Sequence, residues 1–275
     1  MVAGQTPTIS GRHITGGRMP TNKALGQHWL RDRFILNEIA DAAHILSGDT
    51  VLEIGPGLGT LTSELLSRAS HVIAVEYDKD LAFKLPGQFP GKNLDVINQD
   101  ILQFDLTQLP PNYVVVANVP YYITSKIVQK LMTAKNKPRI AVLLVQKEVA
   151  HRIAAGPGEM SMLALGAQVF ADAILGIEVP KEFFTPPPKV DSQVVILETR
   201  QLPLVPEHVQ KQFFRVARAG FSEKRKKLRS SLAGGLRMDK QVVDDLLQDC
   251  DISIEARAQE LSVAQWLRIA TTIRG

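Results

Sequence analysis

Two short stretches of this 275-residue chain carry residue types and spacings suited to chemistry. In the first, the apolar run Val51-Leu52-Glu53-Ile54 is followed by glycines at alternate positions, Gly55, Gly57 and Gly59. Leu58, Leu61, Leu65 and Leu66 then follow at helical spacing. Strand, glycine turn and helix form a ligand-binding geometry, because glycine lets the backbone turn sharply and removes the Cβ that would occupy the ligand's space. In the second, the run Tyr113-Val114-Val115-Val116-Ala117 leads into Asn118-Val119-Pro120-Tyr121, which sets an amide and a phenol at a strand's end. The proline stiffens that corner.

Glu76 adds a third position. It ends the strand-like run His71-Val72-Ile73-Ala74-Val75, 21 positions after Gly55, where an acidic side chain can accept hydrogen bonds from both hydroxyls of a ribose. A dinucleotide fingerprint would need glycine at position 60, and Thr60 stands there. The pattern present, Gly55-x-Gly57-x-Gly59 preceded by Glu53, resembles the first motif of S-adenosylmethionine-dependent methyltransferases. That resemblance implies that the loop borders the methionine part of the cofactor. It also implies that Asp100, at the end of the strand-like run from Leu94, bonds the adenine amino group.

The elements that must hold these groups follow from periodicity. Strands are predicted near 51–54, 72–76, 94–97, 113–117 and 140–145, with helical patterns between them, and such alternation implies a parallel sheet covered on both faces. Two further strands are predicted at 173–179 and 192–198, joined by a connection that three prolines, Pro186 to Pro188, stiffen. Around Leu202-Pro203-Leu204-Val205-Pro206 the pattern turns purely helical. We therefore expect a mobile basic tail over residues 1–22, an α/β domain over 23–203 and a helical domain over 204–275. The segment from Leu25 to Leu30, ahead of the first large strand, is placed to fold back over the cofactor.

Composition narrows the function. With 45% hydrophobic and 22% charged residues the chain has an ordinary globular composition. Its apolar runs are too short for a membrane span, and its start lacks a secretory apolar block, so a cytoplasmic location is expected. Cys250 is the only cysteine, which leaves no internal disulfide and no cysteine cluster for a metal. The net charge of +4 arises entirely after residue 200, where 13 basic residues face 9 acidic ones. Eight of those basic residues lie between Lys211 and Arg229, against Glu223 alone. Arg218, Lys224, Arg225, Lys226, Lys227 and Arg229 are the expected contacts to a polyanion. A continuous helix would line up Arg218, Arg225 and Arg229 on one side, opposite Leu228 and Leu232.

Several blocks together carry a more specific resemblance. Gly26-Gln27-His28-Trp29-Leu30, Glu53 to Gly59, Asn118 to Tyr121, Gln146-Lys147-Glu148-Val149-Ala150, Phe184 to Ser192 and Phe221 to Leu232 are similar to the ribosomal RNA adenine dimethyltransferase family, from about residue 23 onward. The resemblance implies a Rossmann-like methyltransferase sheet with helices on both faces, a small all-helical C-terminal domain and S-adenosylmethionine as cofactor. Its implied substrate is two adjacent adenosines near the 3′ end of small-subunit rRNA, within a pre-30S particle, with the enzyme acting as a monomer and using no metal. His28 and Leu30 would border the cofactor, with Gly55, Glu76 and Asp100 as above.

An adenine N6 amine is a poor nucleophile, since its lone pair is delocalised into the ring. In the resemblance, the Asn118 side-chain oxygen and the Val119 carbonyl accept both N–H bonds and favour a pyramidal nitrogen, so that oriented dipoles and positioning do the catalysis. Tyr121 stacks on the base, and Phe183 or Phe184 covers its other face, with Phe184 assigned to the site. Position 28 is His where the family usually shows Asn, and position 29 is Trp where it usually shows Phe. Two alternatives share these motifs: a large-subunit rRNA adenine methyltransferase giving macrolide resistance, and a non-catalytic RNA-binding assembly factor on the same fold. The Phe184 to Ser192 block and the basic helical segment favour the small-subunit enzyme.

Overall fold

A computed structural model describes residues 28–223 and 225–273. The expected basic tail over 1–22, Gly26 and Gln27 of the block that ends at Leu30, and Lys224 lie outside the described residues.

Among the described residues the apolar runs form nine strands: β1 (Trp29–Leu30), β2 (Thr50–Ile54), β3 (His71–Glu76), β4 (Leu94–Asn98), β5 (Val114–Asn118), β6 (Ile140–Gln146), β7 (Ala171–Val179), β8 (Phe184–Thr185) and β9 (Ser192–Thr199). Seven make one sheet in the order β4-β3-β2-β5-β6-β9-β7, while β1 and β8 pair separately. Strands β2 to β6 are parallel to their neighbours among one another. This bears out the parallel sheet expected for the strands between 51 and 145; of the two further strands, β9 runs antiparallel to both β6 and β7. Parallel re-entry requires a crossover that spans the sheet. The stretch between β7 and β9 offers only a single 3₁₀ turn and the two residues of β8, so the chain returns reversed.

Both faces are covered. In β5, Val114 and Val116 pack with Ile35 and Ile39 of α1 (Arg33–Asp41) and with Leu61 and Leu65 of α2 (Thr60–Leu66). Their neighbours Val115 and Ala117 point the other way, toward Ile127 and Leu131 of α3 (Thr124–Thr133). This period of two, apolar on both sides, marks a strand buried between helix layers. Helix α1 starts at Asp32, whose carboxylate accepts from Ile35 N at 3.0 Å and satisfies one of the end's unpaired donors.

The predicted C-terminal helices are present as α4 (Glu207–Gly220), α5 (Leu228–Leu236), α6 (Lys240–Asp249) and α7 (Val263–Thr272). Phe213, Leu232 and Trp266 belong to the same buried cluster as the sheet residues Val115 and Leu143. Phe170 stacks on Phe214 at 6.3 Å, which carries the packing across residues 203–204. The continuous helix through Arg218, Arg225 and Arg229 is not formed. Helix α4 ends at Gly220, where a Cβ would come within 2.3 Å of the Trp266 ring, and the chain turns before α5. Arg225 sits in that turn, between the helices that hold the other two arginines.

The order β4-β3-β2-β5-β6 reverses direction between β2 and β5, and ligands of open α/β sheets bind beyond the strand ends at such a reversal. Ile54 pairs with Ala117 there, which brings Gly55 and Asn118, the residues that follow them, to neighbouring strand ends.

Candidate active site

A cleft opens at this switch point, and Leu30, Glu53, Gly55, Gly57, Glu76, Tyr77, Asn118 and Tyr121 are among the residues that line it. Gly55, Gly57 and Gly59 adopt φ values of +68°, +56° and +79°, in the left-handed region that L side chains rarely enter. A Cβ at Gly55 would meet nothing within 4 Å, so the loop leaves open space there. At Gly57 it would lie 2.2 Å from Cζ3 of Trp29, because the indole is laid directly on the loop.

Glu76 is 6% exposed and holds the loop from the next strand. Its Oε2 accepts from Gly57 N at 3.1 Å and its Oε1 from Asp78 N at 2.8 Å. Burial pushes its pKa up, and the two backbone donors oppose that shift. Glu53, 1% exposed near the end of β2, also lines the cleft. Burial drives its pKa from 4.5 to about 8, with the nearby charge of Glu76 acting in the same direction. The Thr62 hydroxyl opposes this, but it makes no well-aligned hydrogen bond, and Glu53 Oε2 has no partner among the described residues. An unpartnered buried acidic oxygen facing a cleft is suited to a ligand that brings a cationic donor.

The segment from His28 to Leu30 does fold back over the cleft. β1 pairs with β8, Trp29 opposite Thr185 and Leu30 opposite Phe184. Thr60, in the place where a dinucleotide loop would have glycine, donates its hydroxyl to the Leu30 carbonyl at 2.9 Å. His28 Nδ1 lies 2.7 Å from the Pro186 carbonyl. A carbonyl only accepts, so Nδ1 is the donor in this contact.

Asn118 ends β5, and its Nδ2 donates to the His28 carbonyl at 3.2 Å. That bond fixes the amide's orientation, since Oδ1 could not serve a carbonyl, and it leaves Oδ1 for a donor arriving from the cleft. Val119 is anchored behind it, donating its N–H to the Leu144 carbonyl at 3.0 Å. Tyr121 follows Pro120 at the start of a 3₁₀ turn, with its hydroxyl 2.7 Å from Ser192 Oγ and its ring stacked beside His28 at 6.0 Å.

The structure thus brings together His28, Leu30, Gly55, Glu76, Asn118 and Tyr121. Asp100 is not part of the cleft lining, and one of its oxygens accepts from Leu102 N at 2.9 Å in a turn. Phe184 is 3% exposed, packed into the core cluster with Leu30 and Val194, whereas Phe183 beside it and Tyr122 are exposed. Pairing of β8 with β1 holds the ring of Phe184, assigned to the site as a base-stacking residue, in this buried position. Trp29, Glu53 and Tyr77 are cleft residues that the site assignment omitted. The signal for Glu53 was a carboxylate inside an otherwise apolar strand, and for Tyr77 its position directly after Glu76.

The basic residues occupy varied settings. Arg218, Arg225, Lys226 and Lys227 are exposed. Lys226 pairs with Glu223 at 2.6 Å, Lys227 pairs with Glu255, and Arg229 pairs with Asp244, whose side chain is 11% exposed.

Residues 19–274 match the family model described as ribosomal RNA adenine dimethylase. The chain belongs to the ribosomal RNA adenine dimethylase family. It is 42% identical over 267 residues to a Dehalococcoides mccartyi protein named ribosomal RNA small subunit methyltransferase A, covering 95% of this chain and 91% of that one. A protein of the same name from Gloeobacter violaceus is 42% identical over 262 residues, 93% of this chain and 94% of its own. Among solved structures, a dimethyladenosine transferase from Plasmodium falciparum superposes with a TM-score of 0.75 at 29% identity, covering 88% of this chain and 96% of that one. The 23S rRNA methyltransferase ErmE gives a TM-score of 0.73 at 30% identity, with coverages of 88% and 98%. The fold is accordingly a Rossmann-like methyltransferase sheet carrying a helical C-terminal region, and the protein is an rRNA adenine methyltransferase. Among the described residues no helix is long and apolar enough to cross a membrane.

Proposed function

We propose that this protein dimethylates N6 of two adjacent adenosines near the 3′ end of small-subunit rRNA, acting as a monomer on a pre-30S particle in the cytoplasm. The observation that supports the reading is the cleft-lining Asn118 amide, whose nitrogen is engaged by the His28 carbonyl so that its oxygen is left to accept. The small-subunit names of the Dehalococcoides and Gloeobacter relatives favour that substrate over the large-subunit one named for ErmE.

The residues present fit S-adenosylmethionine, whose ammonium and ribose hydroxyls are donors. Glu53 would face the ammonium-bearing methionine part beside Gly55, Glu76 the ribose hydroxyls, Asp100 the adenine, and His28 and Leu30 would border the site. When bound, the cofactor supplies an electrophilic sulfonium methyl. Asn118 Oδ1 and the Val119 carbonyl accept the two N–H bonds of the target amine, which turns its lone pair out of the ring plane. These acceptors are fixed before the amine arrives, so little reorganisation is needed during reaction. Tyr121 forms one wall for the extruded base, and the exposed Phe183 is better placed than Phe184 to form another. Residues 204–275 serve as the RNA-binding region, with Arg218, Lys224, Arg225, Lys226, Lys227 and Arg229 as its basic set.

The test is competition between purified, unmethylated small and large ribosomal subunits for labelled methyl groups. Label in the small subunit supports the reading. Preferential label in the large subunit would replace it with the ErmE-like alternative.

A further inference from the structure

Ser192 opens β9 and is fully buried, in register with Gln146 of β6 on one side and Val179 of β7 on the other. A hydroxyl there carries a desolvation cost that alanine or valine would avoid, unless it is hydrogen-bonded. Its Oγ has one partner among the described residues, the Tyr121 hydroxyl at 2.7 Å. The strand start is itself held from two directions. Lys147 N donates to the Asp191 carbonyl at 3.0 Å, and Lys181 N donates to Asp191 Oδ1 at 3.0 Å. Ser192 is therefore a rigid point, while Tyr121 stands at the start of a short 3₁₀ turn with a ring that can rotate about its side-chain bonds.

We propose that Ser192 is a positioning residue for methyl transfer: it clamps the Tyr121 phenol and so fixes the ring plane against which the target adenine is laid. Burial pushes the Tyr121 phenol's pKa up, which keeps it a neutral hydroxyl able to share the bond. The contact joins β5's corner to β9, 71 residues on, so the antiparallel strand that departs from the parallel sheet carries the clamp. The inference rests on the reading of Tyr121 as a wall for the base. Ser192 touches neither cofactor nor base and acts through Tyr121 alone.

The experiment compares single-turnover methylation of unmethylated small subunits by wild type, S192A, S192T, Y121F and S192A/Y121F. Cofactor affinity and melting temperature are measured alongside. S192A should slow the single-turnover rate about two- to tenfold, the range a single neutral hydrogen bond's free energy carries, at unchanged cofactor affinity. S192T should restore most of it, and S192A/Y121F should be no slower than the slower single variant, since both remove the same bond. A wild-type rate in S192A, multiplicative losses in the double variant, or cofactor affinity falling in step with rate would overturn the proposal. If wild type methylates no rRNA, the functional reading fails instead. Fluorine NMR of 3-fluorotyrosine-labelled protein then decides the clamp independently, with the Tyr121 resonance assigned through Y121F. A Tyr121 signal that changes in S192A and returns in S192T supports it, and one unchanged in S192A overturns it. If S192A does not fold, S192T and Y121F still test the clamp by the same two readouts: near-wild-type rate in S192T with loss in Y121F supports it, and a wild-type rate in Y121F overturns it.

Discussion

The Asn118 side-chain amide donates to the His28 main-chain carbonyl at 3.2 Å, across 90 residues of sequence. One hydrogen bond thereby ties the end of β5 to the segment from His28 to Leu30 that folds over the cleft. Because the amide nitrogen is occupied, the oxygen is left to accept.

Asn118→Ala removes both the acceptor and the tie. We expect turnover to fall on the order of a hundredfold or more, as when one preorganised polar partner is taken from a transition state. Cofactor affinity should fall less. Single-turnover methylation near the wild-type rate would reassign Asn118 to a purely structural turn.

Glu76→Ala is expected to weaken S-adenosylmethionine binding by roughly 1.5 to 3 kcal/mol, the usual loss for hydrogen bonds to a charged acceptor. Part of that loss comes from freeing Gly57 N and Asp78 N, which Glu76 holds in the loop. Calorimetry returning wild-type affinity would rule out the ribose role.

Glu53 gives a pH dependence whose sign is fixed. Its folded pKa of about 8 exceeds its ordinary 4.5, so between those values the folded state binds the extra proton. Stability contributed by this group therefore falls as pH rises from about 4.5 to about 8 and levels off above. Glu53→Gln should flatten that slope and leave the variant more stable than wild type at pH 9, by on the order of a few kcal/mol at most. Denaturant midpoints from pH 6 to 9 check this, and parallel slopes in the two proteins would contradict it.

Arg225 and Arg229 should separate. Arg225 is exposed in the turn between α4 and α5, and Arg225→Gln should reduce the log-log salt slope of rRNA binding by roughly one unit. Arg229→Gln strands the mostly buried Asp244 and should cost stability, by roughly 3 kcal/mol. Salt titrations of rRNA affinity and denaturant melts of each variant give the comparison. An unchanged slope in Arg225→Gln would mark it as a solvated bystander.

Much of this was legible because local pattern and tertiary role agree. The apolar strands, the left-handed glycines and the acid at the tip of β3 are each forced by neighbours in sequence. The reversal of β9 was not legible, since a short apolar run has no direction until its partners are known. Phe183 and Phe184 are adjacent rings of identical type, and only the β1–β8 pairing buries one and exposes the other. The helix break near Arg225 coincides with the close approach of Trp266 to Gly220, a contact 46 positions distant in sequence. Pairing of Arg229 with Asp244 is likewise a tertiary event between α5 and α6.

The most direct test of the account is nucleoside analysis of unmethylated small subunits after reaction with labelled S-adenosylmethionine, with Asn118→Ala as the control. The account predicts label in N6,N6-dimethyladenosine at two adjacent positions near the rRNA 3′ end, with little in the control. Monomethyladenosine alone, label on ribose, or equal label in the control would contradict it.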